Sequence, residues 1–151
     1  MDYCFDITLK TRTFFKTILE NYNLEQLNKI PEGFNNNIFW NIKHVIITQQ
    51  LLVYHLSELP MQITDEEVKN YQKGSKPERS INENDLKLLK KQLYSTLERT
   101  KVDFNNNLFK KFNKYTVTTK STLTCIEEAL EFNNFHEGIH LGYVLAIIRT
   151  I

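Results

Sequence analysis

Phe135-His136-Glu137-Gly138-Ile139-His140-Leu141-Gly142-Tyr143-Val144-Leu145-Ala146-Ile147-Ile148 contains no proline, and its second half is apolar almost all round when wound as an α-helix. A helix without a polar face must be covered on every side. In a small protein it lies at the centre of a helix bundle or buries its outer face against a second subunit, and we expect a homodimer. Thr124 and Glu127 are spaced as a capping box at its start, and the periodicity carries it to Arg149.

Working back toward the N-terminus, three further segments have helical periodicity. The first runs from Phe5 to Asn23 with Phe5, Leu9, Phe14, Phe15, Ile18 and Leu19 as its apolar stripe. The second starts at the Asn35-Asn36-Asn37 cluster, which offers N-cap side chains, and continues through Trp40, His44, Ile47, Leu51, Leu52 and Tyr54 to Pro60. The third spans Glu83 to Phe104, with Leu86, Leu89, Leu93 and Leu97 on one face and lysines with Arg99 on the other. Gln26 to Asn37 reads as a polar connection. Met61 to Arg79 reads as a crossover holding one short helix, Asp65 to Tyr71, and as the chain's candidate mobile segment. Tyr115 to Thr119 is β-prone but isolated. The expected fold is an all-α four-helix bundle with a long crossover connection, one domain over residues 1–151.

Lysine and arginine (19) nearly balance aspartate and glutamate (18), for a net charge of +1, so no broad field draws in nucleic acid or an anionic membrane. The apolar runs are too short and interrupted to span a bilayer. Cys4 and Cys125 lie far apart and form no CxxC pair, which suits reduced thiols. Met1 to Asp6 has no basic region leading into an apolar stretch, and a soluble cytoplasmic protein is expected.

His136 and His140 stand at i and i+4, about 6 Å apart along the helix axis and about 40° apart around it, so both rings can turn to one ion. A third imidazole from a facing helix completes three protein ligands and leaves a coordination position open, as in a catalytic metal site. His44 and His55 both lie on the second helix, and ideal rotation puts them on about the same face. One ion can meet only one of two groups about 16 Å apart; His44 is mid-helix, while His55 falls near the helix end. HEGIH also matches the H-E-x-x-H pattern of metalloproteases, but the chain offers little of the strand that frames their clefts.

Asn36-Asn37-Ile38-Phe39-Trp40-Asn41-Ile42-Lys43-His44, Thr48-Gln49-Gln50-Leu51-Leu52, Leu56-Ser57-Glu58-Leu59-Pro60 and Ala129 through Gly142 together resemble the DinB-like superfamily over nearly the whole chain. The resemblance implies an up-up-down-down four-helix bundle, often dimeric, with a divalent metal held by one histidine of the second helix and the last helix's HxxxH pair. Here those positions are His44, His136 and His140. It further implies relatedness to bacterial thiol-dependent S-transferases, whose members use low-molecular-weight thiols such as mycothiol or bacillithiol, or hydrolyse amide-type bonds.

A metal-dependent thiol transferase or hydrolase acting on a small molecule is therefore expected, with zinc or nickel as the leading ions. A non-catalytic metal- or ligand-binding dimeric stress or scaffold protein is the alternative. Trp40, one turn before His44, is expected either to wall the pocket or to fill core. Asn41, Asn133 and Glu137 are candidates to hydrogen-bond a histidine's second nitrogen or a bound water, with Glu137 as the candidate general base.

Overall fold

The computed structural model describes residues 1–151. Its elements are α1 (Asp2–Asn21), α2 (Leu24–Asn28), α3 (Ile38–Gln50), a π-helical continuation (Leu51–His55), α4 (Asp65–Tyr71), α5 (Glu83–Asn105), β1 (Tyr115–Thr116), β2 (Thr122–Leu123) and α6 (Ile126–Ile148). The protein is all-α but for the β1–β2 ribbon, which pairs antiparallel with Thr116 opposite Thr122. No helix is long and apolar enough to cross a membrane.

Local chemistry sets the helix starts. Asn37 caps α3 by accepting from the Trp40 N–H, and Thr64 with Glu67 and Asn82 with Asp85 form reciprocal capping boxes on α4 and α5. The connection after α1 holds a helix not anticipated from the sequence, α2, closed by a capping box of Asn23 and Gln26. The expected box on α6 does not form: Cys125 is the N-cap, and the Glu128 carboxylate, not Glu127, reaches back to the Thr124 N–H and hydroxyl.

α3 packs on α6 and is flanked by α2, α4 and α5, while α1 packs on α5 and α6. Every residue from Ile38 to Ile47 is buried. The helix enclosed on all sides within one chain is thus α3; α6 leaves Phe135, Ile139 and Tyr143 in solvent at 52%, 40% and 53% exposure. The main core joins Phe15, Ile18 and Leu19 of α1 to Ile42 and Ile46 of α3, Leu89 and Leu93 of α5, and Val144 and Ile147 of α6. On α1 the buried stripe departs from the expected one. Leu9 and Phe14 point outward, and Thr8 and Arg12 take the interior.

Candidate metal centre

A π-helical turn separates His44 from the exposed His55. Closing i→i+5 bonds takes more residues per turn than an α-helix, so Leu51–His55 lags ideal α rotation by about 90° in all. His55 is exposed, whereas His44, still within regular α3, is buried against α6. The ring centroids of His44 lie 5.1 Å from those of His136 and 4.7 Å from His140, and those two are 4.6 Å apart. One nitrogen from each ring lies within 4.8 Å of the others.

Two of the three rings have a fixed tautomer. His44 Nδ1 donates to the Tyr71 backbone carbonyl at 2.6 Å, so its Nε2 holds the lone pair. Only the Thr48 hydroxyl, at a long 3.3 Å, approaches that nitrogen. The Asn41 amide donates to the Asn37 carbonyl, which leaves its Oδ1 to accept from His140 Nδ1 at 2.9 Å. His140 therefore also keeps Nε2 unprotonated. His136 Nδ1 is buried without any hydrogen-bond partner.

Burial also holds the rings neutral. His44 sits below the ordinary imidazole value because burial outweighs the opposing pull of the Tyr71 carbonyl. His136 and His140 are pushed down to about 3, by burial first and then by the neighbouring histidines. Neutral imidazole is the ligating form. The cluster contains no carboxylate, so it offers an ion three neutral nitrogen donors. Tetrahedral zinc with nitrogens at about 2.1 Å would bring them to about 3.4 Å from one another, so the rings would draw together by up to about 1.4 Å. The donor set, the tautomers and the orphaned Nδ1 of His136 all fit such an ion.

Trp40 lies flat on His44, with ring centroids 4.6 Å apart and planes 10° from parallel, and its Nε1 donates to Ser75 Oγ. Behind it a cleft of about 570 Å³ opens between α3, the crossover and the start of α5, lined by Trp40, Lys43, Glu67, Tyr71, Arg79 and Asp85 but by none of the three histidines. Asn133 and Glu137 hydrogen-bond no imidazole. Asn133 donates to Glu137 Oε1, and Glu137, wholly buried, pairs with Arg12. Sequence reading missed Arg12, although its position is in phase with Phe5, Phe15 and Leu19 on the buried face of α1.

The family model of the DinB superfamily matches residues 8–144, a span that takes in all three histidines. None of the curated proteins compared with the chain matches it.

Proposed function

The chain belongs to the DinB superfamily, and from that premise we propose that His44, His136 and His140 hold one divalent metal ion, zinc or nickel, as the centre of a thiol-transfer or hydrolytic site for a small molecule. The observation that carries this reading is the pair of oriented rings, His44 on the Tyr71 carbonyl and His140 on Asn41, each keeping Nε2 unprotonated beside the third imidazole. When bound, such an ion lowers the pKa of a low-molecular-weight thiol or water and so supplies a nucleophile near neutral pH. Trp40 shields one face of His44 from water, and Asn41 holds His140 against rotation. Three imidazoles leave the choice of metal to availability. Elemental analysis of protein purified without tag or chelator tests the reading: near one equivalent of nickel or zinc in the wild type and none in His136→Ala/His140→Ala is expected. Metal in neither, persisting after dialysis against zinc and nickel, overturns it in favour of a non-catalytic scaffold.

We also propose that the protein is a homodimer assembled through α6. The observation favouring this is the exposed row of Phe135, Ile139 and Tyr143, where a Cβ added at the adjacent Gly138 or Gly142 meets nothing within 4 Å. The cytoplasm is the compartment proposed.

A further inference from the structure

Arg12 and Glu137 are both completely buried, and their ion pair sits between three helices. Glu137 Oε1 accepts from Arg12 Nε at 3.2 Å, from Arg12 Nη2 at 2.9 Å and from Asn133 Nδ2 at 2.9 Å. The other end of the guanidinium reaches α5, where Nη1 donates to the Leu93 carbonyl at 3.0 Å and to Thr96 Oγ1 at 2.8 Å. From there the network continues. Thr96 Oγ1 donates to the Gln92 carbonyl, Gln92 Oε1 accepts from Lys43 Nζ, and Lys43 also pairs with Glu67 of α4. One end of this buried chain is thus Glu137, between His136 and His140 in sequence, and the other reaches Lys43, next to His44.

Burying two charges costs several kcal/mol per ion, and an apolar pair of similar volume is generally as stable or more so. The pair is also imperfectly satisfied, because Glu137 Oε2 and Asn133 Oδ1 are buried without partners. Stability therefore gives a poor account of it, and geometry a better one. Glu137 is about 100° round α6 from His136 and about 60° from His140, so tethering it fixes the rotation of both rings together. An imidazole nitrogen about 7 Å from the helix axis moves about 0.6 Å for each 5° of rotation, roughly the tolerance of a preorganised site.

We propose that Arg12 and Glu137 are positioning residues for the metal centre, locking the rotation of α6 so that His136 and His140 meet His44. The proposal rests on the reading that the three histidines bind metal. Cobalt(II) titration of the full chain tests it, with affinity and d–d absorption recorded beside thermal unfolding of the metal-free protein. The apolar triple variant Arg12→Met/Asn133→Leu/Glu137→Leu, which leaves no orphaned Asn133 amide, should fold with a midpoint at or above that of the wild type, bind cobalt at least tenfold more weakly, and show shifted d–d bands. If that variant does not fold, Arg12→Lys, which keeps the charge but loses the two-pronged grip on Oε1, should weaken binding and shift the bands in the same way. A folded variant with wild-type affinity and spectrum overturns the proposal. Absence of cobalt binding by the wild type itself is a separate outcome, and it overturns the underlying metal reading along with this one.

Discussion

His44 Nδ1 donates to the backbone carbonyl of Tyr71 across 2.6 Å, so a candidate metal ligand of α3 is oriented by the crossover. Trp40 to Ser75 and Lys43 to Glu67 fasten the same segment to the same helix. An ion on Nε2 withdraws electron density from the ring and makes Nδ1–H a better donor. Metal should therefore slow amide hydrogen exchange over residues 65–82. Zinc bound at one equivalent with exchange there unchanged argues against this coupling.

The two histidines of α6 should differ in what their loss costs. His140→Ala leaves Asn41 Oδ1 without its donor in a buried setting, a penalty of about 1–3 kcal/mol. His136 Nδ1 has no partner to abandon. In metal-free protein His140→Ala should thus be the more destabilising by roughly that amount in urea denaturation, although both should abolish metal binding. Equal losses would show that the Asn41 contact contributes little.

Acid should weaken the metal-free fold through these same rings. In the folded state His136 and His140 resist protonation down to about 3, whereas in the unfolded chain an imidazole takes its proton near 6.5. Above pH 6.5 neither state gains a proton and this contribution is constant. Below it the unfolded chain binds protons that the fold does not, and stability falls by up to about 1.4 kcal/mol per pH unit per histidine until about pH 3. Urea midpoints measured from pH 7.5 to 4.5 should drop less steeply in His136→Ala/His140→Ala.

Charge placed on the outer face of α6 should separate the proposed dimer. Ile139→Lys alters a side chain that is 40% exposed in the single chain, so its fold and thermal midpoint should hold while sedimentation shifts to the monomer. A monomeric wild type, or an unchanged dimer in the variant, places the subunit contact elsewhere or removes it.

Periodicity and proline placement made much of this fold legible in the sequence. The short helix Asp65–Tyr71 lies where the crossover pattern put it, and Leu86, Leu89, Leu93 and Leu97 are buried on α5. The three-histidine cluster follows from HxxxH spacing plus the resemblance that selected His44. The π-helical turn was not legible, because no residue type marks where a helix widens. Nor was Arg12: a charge on an apolar stripe reads as an interruption until its partner, far along the chain on α6, is known. The enclosure of α3 was also hidden, since Lys43, Asn41 and Gln49 look like solvent positions until α4, α5 and α6 supply their partners.

The three imidazoles come from two helices far apart in the chain, Ile38–Gln50 and Ile126–Ile148, and they meet only where α3 lies against α6. A disordered chain can present the HxxxH pair at most, so full affinity arises only after this long-range docking is complete. An ion held there would therefore bind only chains in which the two helices are already docked. It would oppose separation of α3 from α6, and so raise the stability of the native protein in proportion to its binding.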